Sequence, residues 1–265
     1  MPSESSGKTI TRISVLKDKI NIFFGKDKLE VSYDTYTSHY FFVGKELSFK
    51  EIEDIQKEND INGAIKVAKG ILLKKMASEW TIRNKLYDKG YDKGIVDEVV
   101  VKLKKDKLID DSAFVKEYIA YYDEKLYGKN KIIQELRLKG IFNETIQEIK
   151  FSEINELKKA KKLLPKLEKE YAKYNTVSKR QHIYNALIRY GYSNEIANEV
   201  TIKAKANSPK EEKNTLKKDF DVAYKKGKQK YKTSDGVKNY VIKTLNAKGY
   251  KYNEIIKMWE EMSNE

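Results

Sequence analysis

Apolar and polar positions alternate at the start of the chain and fall into a helical rhythm after it. Ile13-Ser14-Val15, Lys19-Ile20-Asn21-Ile22-Phe23-Phe24 and Lys28-Leu29-Glu30-Val31-Ser32-Tyr33 are short runs rich in β-branched and aromatic residues. Lys17-Asp18-Lys19 and Gly25-Lys26-Asp27-Lys28 separate them and have the composition of hairpin turns, so a small antiparallel sheet is predicted. Leu47-Ser48-Phe49-Lys50-Glu51 then presents a capping box, Ser48 with Glu51 three residues on, which predicts a helix through about Lys57. Three strands and a helix bury little by themselves, so residues 1–60 are expected to form a module that leans on the helices C-terminal to it.

From residue 61 the periodicity is helical, and it recurs. The segments Lys85-Leu86-Tyr87-Asp88-Lys89-Gly90-Tyr91, Glu135-Leu136-Arg137-Leu138-Lys139-Gly140-Ile141, Ala186-Leu187-Ile188-Arg189-Tyr190-Gly191-Tyr192 and Thr244-Leu245-Asn246-Ala247-Lys248-Gly249-Tyr250 align on one glycine. Leu stands four residues before each of Gly90, Gly140, Gly191 and Gly249, and a large apolar or aromatic residue succeeds each. Val99, Ile149, Val200 and Met258 keep register nine residues after. Fourfold recurrence of this kind is the signature of a repeat architecture. Each glycine reads as a helix C-cap, and Asp92, Asn143, Ser193 and Asn253 as N-caps of the next helices. A further helix precedes each glycine-capped one: Ala64 to about Met76, Ser112 to about Lys125, Ile154 to about Lys173 and Lys213 to about Lys228. The fold class expected is mainly α, with tandem three-helix-bundle repeats stacking into a curved solenoid behind a small N-terminal antiparallel β module. The expected boundaries are 1–60 for the β-rich module and 61–110, 111–152, 153–207 and 208–265 for the repeats.

Composition narrows the function classes. The 265 residues include no cysteine, which removes disulfides, thiolate metal sites and cysteine nucleophiles. The two histidines, His39 and His182, are far apart in sequence, and no Gly-x-x-x-x-Gly-Lys-Ser/Thr phosphate loop occurs. No apolar run reaches membrane-spanning length and the N-terminus lacks a signal-peptide pattern. The expectation is a cytoplasmic protein that is no enzyme, has neither cofactor nor metal, contacts no membrane and is a monomer.

The chain carries 54 Lys+Arg against 40 Asp+Glu, and the excess is uneven: residues 1–60 hold 9 against 11, so the surplus belongs to the helical part. Only five of the basic residues are arginines. Reading base edges favours the bidentate Arg fork, so the charge points to an acidic partner surface, with weak direct DNA binding, more than to sequence-specific recognition. Basic clusters fall at Lys129, Lys131, Arg137 and Lys139, at Lys179, Arg180 and Arg189, and at Lys225, Lys226, Lys228, Lys230 and Lys232. Each is read as lying at or within the helix before a repeat glycine, an arrangement that would line them up as a partner-binding stripe. Tyr118, Tyr121, Tyr122, Tyr190, Tyr192 and Tyr250 could stack on bases, but their helical spacing favours packing. Asp110-Asp111 reads as a helix N-terminus and not as a metal pair.

Three blocks carry a family resemblance. Ser78-Glu79-Trp80-Thr81-Ile82-Arg83-Asn84-Lys85-Leu86 with Lys89-Gly90-Tyr91 resembles the first repeat of the RecX family. Leu108-Ile109-Asp110-Asp111-Ser112-Ala113-Phe114-Val115-Lys116-Glu117-Tyr118 is similar to that family's most recognisable block. Gly128-Lys129, Ile132 or Ile133, Glu135-Leu136 and Lys139-Gly140-Ile141 resemble its second-repeat pattern. The match is specific over residues 78–149 and generic over 153–261, while the β-rich residues 9–48 are similar to an extension of the longer Gram-positive members. The resemblance implies a regulator that binds the RecA recombinase and lies along the groove of its filament on DNA. It would there inhibit or destabilise the filament, restraining ATP hydrolysis, strand exchange and the SOS response. The alternative from charge alone is a basic helical-repeat scaffold that binds nucleic acid without a recombinase partner.

Overall fold

The computed structural model describes residues 7–263 and is mainly α-helical, with a small antiparallel β module at the N-terminus. The chain divides into two compact units. One comprises Met1–Tyr118 with Leu136–Asn143, the other Ile119–Glu135 with Glu144–Glu265.

In the first unit, β2 (Arg12–Val15), β3 (Ile20–Phe24) and β4 (Asp27–Val31) form the predicted meander, with Ile13 paired to Ile22 and Ile22 to Leu29. Two elements have no counterpart among those predicted from sequence. A two-residue ladder joins β1 (Lys8–Thr9) to β5 (Glu46–Leu47), and a short helix α1 (Tyr33–Ser38) starts at Ser32, whose hydroxyl accepts the Thr35 N–H. Ile10, Ile20, Ile22, Val31 and Leu47 make the core of this module.

The capping box at Ser48 and Glu51 is formed, but the helix it opens does not stop near Lys57. Helix α2 runs unbroken over Phe49–Leu72, replacing the two helices expected there. Its inward face continues from Ile55, which packs into the sheet core, to Ala64 and Ala68, which pack against α3 (Glu79–Tyr87) and α4 (Lys93–Lys105). One helix thus serves two cores, and the β module is stabilised through it.

Helices α5 (Asp111–Glu124), α6 (Lys129–Leu138) and α7 (Asn143–Gln147) come next, and the division between units runs through all three. In the second unit, α8 (Glu153–Glu170), α9 (Thr176–Arg189) and α10 (Asn194–Ile202) enclose one core around Leu163, Leu187 and Tyr192. Helices α11 (Pro209–Lys230), α12 (Ser234–Ala247) and α13 (Tyr252–Ser263) enclose another around Phe220, Val241 and Leu245.

The glycine signature has one physical origin. Gly90, Gly140, Gly191 and Gly249 all have φ between 72° and 91°, and the N–H of the next residue donates to the carbonyl of the Leu four residues before the glycine. Those bonds measure 3.2, 3.1, 3.1 and 3.2 Å at Leu86, Leu136, Leu187 and Leu245. This is the Schellman closure, and it explains why Leu, Gly and an apolar residue hold a fixed spacing. Two more turns of the same kind close without glycine. Lys107 ends α4 at φ 54° and Leu126 ends α5 at φ 58°, with Leu108 and Tyr127 donating back to Leu103 and Tyr122.

Asp92 and Ser193 cap their helices as predicted. Asn143 and Asn253 do not: both lie inside the first turn, and the α13 turn is closed by Glu254 reaching back to the Lys251 N–H at 3.3 Å. Asp110 caps α5, accepting from Ser112 and Ala113. Asp111 takes a role that sequence does not reveal, accepting the Glu79 N–H at the start of α3 across 2.8 Å.

Three of the glycine turns are also seated on an earlier helix start. The hydroxyl of Ser78, the α3 N-cap, donates to the Lys139 carbonyl at 2.6 Å, and a Cβ on Gly140 would stand 2.2 Å from Trp80. At the start of α6, Gly128 and Asn130 donate backbone N–H groups to Tyr190 and Gly191. At α9, the amide of Asn175 and the hydroxyl of Ser178 both donate to the Lys248 carbonyl at 2.9 Å, with Val177 against Gly249.

Candidate partner-binding surface

Helix α11 begins with Ser208, Pro209 at the first helical position and a complete capping box to Glu211, and its last turns carry Lys225, Lys226, Lys228 and Lys230. Gly227 is buried, and a Cβ there would lie 3.1 Å from Val237 and 3.2 Å from Tyr240, so α12 packs closely against this point. With position 227 turned inward, Lys225, Lys226 and Lys228 are exposed, as are Lys230 and Lys232 at the helix exit. Two of them are placed by aromatic rings: Lys228 Nζ lies 4.6 Å from the Tyr224 centroid and Lys230 Nζ 5.6 Å from that of Tyr240. Tyr224, Lys228, Tyr231, Thr233, Val237 and Trp259 line a shallow depression beside them.

The remaining predicted residues divide by environment. Arg137 is exposed, with Nε 3.3 Å from Asn143 Oδ1, and Arg189 is exposed with a guanidinium N–H donated to Tyr171 at 3.2 Å. Lys129, Lys131, Lys139 and Arg180 are half-buried. Lys131 pairs with Glu135 at 3.0 Å, and that hydrogen bond holds its ammonium above the ordinary lysine range. Arg180 donates to the Ala204 carbonyl, while its Nε is buried without a partner.

Lys179 does not belong to a surface stripe. It is buried, and its ammonium donates to Asn207 Oδ1 at 2.5 Å. Positions 179, 183, 186 and 187 share the inward face of α9, so the helical spacing itself carried this signal. The positional equivalence of the clusters also fails for the last group. The helix closed by Gly249 is α12, bearing Lys238 and Lys243 with Lys248 as its C-cap, whereas Lys225–Lys232 belongs to α11 and the segment after it.

The tyrosines separate likewise. Tyr192 is buried, donating to the Leu126 carbonyl at 2.8 Å, and Tyr250 is buried, donating to Asp219 at 2.9 Å; burial raises both phenols. Tyr118 stacks on Phe114. Tyr121, Tyr122 and Tyr190 instead join Tyr127 in a half-exposed ladder with successive ring centroids 5.5, 5.2 and 5.2 Å apart. Lys125 lies over Tyr121, and Lys166 approaches the Tyr190 hydroxyl at 3.5 Å. In the segment between α8 and α9, Tyr171 and Tyr174 lie 5.3 and 4.2 Å from the ring of His182 and 6.3 Å from each other, a three-ring cluster. Tyr127, Tyr171 and Tyr174 do not stand out in sequence, because none of them sits beside a repeat glycine, and Tyr127 meets Tyr190 only through the tertiary fold. Aromatic faces beside ammonium groups suit unstacked bases and cation–π partners. Among the described residues, no group of three or more His, Asp or Glu side chains could hold a metal ion, and no helix is long and apolar enough to cross a membrane.

No protein-family model matches the chain. A regulatory protein RecX from Listeria welshimeri is 30% identical over 254 residues, covering 93% of this chain and 94% of that protein. One from Bacillus licheniformis is 31% identical over 192 residues, covering 69% of this chain and 73% of that protein. A crystal structure of a regulatory protein RecX is similar with a TM-score of 0.56 and 25% identity, covering 74% of this chain and all of that one.

Proposed function

The chain belongs to the RecX family of regulatory proteins, and on that footing we propose that it binds the RecA recombinase and RecA–DNA filaments in the cytoplasm and restrains their ATPase, strand-exchange and SOS activities. The observation that carries this reading is the near end-to-end similarity to regulatory RecX proteins. Local physics supports it: the exposed lysines of α11 suit an acidic, phosphate-bearing partner.

We assign partner contact to Arg137, Arg189, Lys225, Lys226, Lys228, Lys230 and Lys232, with Lys129, Lys131, Lys139 and Arg180 contributing through their exposed portions. Lys179 is left out because it is buried.

The test is RecA-catalysed ATP hydrolysis on single-stranded DNA with substoichiometric amounts of this protein. Inhibition at ratios too low to coat the DNA is expected. Inhibition only at coating ratios, with equal DNA affinity in the absence of RecA and a steep log-linear salt dependence, would mean a general nucleic-acid scaffold.

A further inference from the structure

The turn that closes α4 departs from the glycine turns in two ways. The residue that follows the glycine is half-buried at Tyr91 and buried at Ile141, Tyr192 and Tyr250. Here a lysine, Lys107, holds the left-handed conformation at φ 54°, and the residue after it, Leu108, is 42% exposed although its N–H donates to the Leu103 carbonyl in the same way. The fold thus carries a side chain that its backbone disfavours next to a leucine that it does not bury. Neither is explained by the folding of the isolated chain; both are explained by a partner that covers the leucine and meets the ammonium.

Leu108 belongs to a hollow of about 520 Å³ within the first unit, lined by the buried Ala77 and Phe114 and by Leu72, Leu73 and Met76. Leu73 is 88% and Met76 43% exposed, so with Leu108 three large apolar side chains stand in water around one concavity. Lys69 and Lys107 also line it, and Lys74 and Lys75 separate Leu73 from Met76 in the chain. All four lysines are exposed, and among the described residues none of their ammonium groups has an ion pair, a hydrogen bond or an aromatic ring against it. The acidic residues of the same two stretches, 69–77 and 107–114, are Asp110 and Asp111, and both are turned to backbone. Asp110 accepts the N–H groups of Ser112 and Ala113, and Asp111 that of Glu79. The hollow is therefore apolar at its centre and cationic at its rim.

We propose that this hollow is a docking site for an acidic protein segment, which inserts large apolar side chains between Leu73, Met76 and Leu108 while its Asp and Glu residues meet Lys69, Lys74, Lys75 and Lys107. Concavity selects a protein segment over other polyanions. A side chain projecting from a peptide fills a hollow, whereas a bilayer is entered by groups that project from the protein, and a phosphate backbone carries no aliphatic anchor. Methionine at the wall adapts to anchors of differing shape. The site shares no residue with the basic positions assigned above, so the inference goes beyond the proposed function, and its test does not involve RecA.

Fluorescence anisotropy of the full chain with a panel of labelled peptides decides it, each peptide rich in Asp and Glu and carrying a Leu and a Phe at a different spacing. At least one is expected to bind saturably, and replacing its Leu and Phe by Ala should weaken binding about tenfold at equal charge. Leu73→Glu, at a position exposed in the free chain, should weaken it to a like extent while melting stays near native. Lys107→Gly should bind several-fold more weakly and yet melt higher, a divergence that a merely structural role for this lysine does not produce. Circular dichroism establishes that both variants are folded. A panel without a binder, an anchorless peptide that binds as well as its parent, or either variant binding like the native chain would each overturn the proposal. So would single-stranded DNA or phosphatidylglycerol vesicles that displace the peptide and lose affinity on Leu73→Glu, since the hollow would then serve nucleic acid or membrane.

Discussion

The Ser78 hydroxyl donates to the Lys139 carbonyl across 2.6 Å, joining residues 61 positions apart. The same oxygen accepts the Thr81 N–H, so one buried side chain caps the start of α3 and satisfies a carbonyl at the end of α6. Ser78→Ala removes both bonds and leaves the carbonyl unanswered, and should lower stability by about 1–3 kcal/mol in urea titration, with Ser78→Thr recovering much of it.

The repeat glycines should differ in cost. Gly90→Ala meets open space and suffers backbone strain alone, about 1 kcal/mol. Gly140→Ala adds a collision with Trp80 and should cost about 2–4 kcal/mol. Gly128→Ala is expected to be damaging without any positive φ, because its Cβ would lie 2.5 Å from the Gly191 backbone. Thermal melts of the three variants give the ranking, and equal losses would contradict it.

Lys107 holds a left-handed turn that glycine fills elsewhere, and its side chain is exposed. Lys107→Gly should therefore stabilise the chain by about 0.5–1 kcal/mol, read as a higher denaturant midpoint at unchanged slope.

Burial predicts opposite outcomes for two sets of lysines. Lys179→Ala empties a buried site and leaves Asn207 without its donor, so melting should fall while RecA–DNA co-sedimentation per folded molecule holds. Charge reversal of Lys225, Lys226 and Lys228 together should leave melting near native and weaken co-sedimentation and ATPase inhibition at least tenfold.

Glu51 and Glu211 accept the backbone N–H and the hydroxyl of their N-cap serines, Ser48 and Ser208, and are held below the ordinary value of 4.5. A carboxyl lowered in the folded state adds stability above its unfolded pKa and loses it as pH falls through the folded one. The Glu51→Gln, Glu211→Gln double variant should thus show a flatter acid limb below about pH 4.5 in a series of melts, and match the native chain more closely at the lowest pH.

Features set by a few neighbouring residues are legible in the sequence. The Schellman closure needs only a Leu, a glycine and an apolar residue at fixed offsets, and all four glycine turns display that spacing. The three-stranded meander and the Ser48 capping box are equally local. The turns at Lys107 and Leu126 carry no such mark, because neither residue type favours the left-handed conformation that the backbone takes there. The capping box marks where α2 starts and says nothing of where it ends, although Ile55, Ala64 and Ala68 keep one inward face through to Leu72. Lys179 reads as a surface cation by its charge, whereas its register with Ile183 places it inside. The tyrosine ladder is local from Tyr121 to Tyr127, but its closure onto Tyr190 is a tertiary contact with no local signal.

In each seated turn the receiving helix start lies earlier in the chain than the turn it receives: Ser78 before Lys139, Gly128 before Tyr190, Asn175 before Lys248. Synthesis proceeds in that direction and at a pace that lets N-terminal parts fold first. A ribosome making this protein therefore completes every receptor before its insert leaves the exit tunnel, and each new turn meets a surface already made.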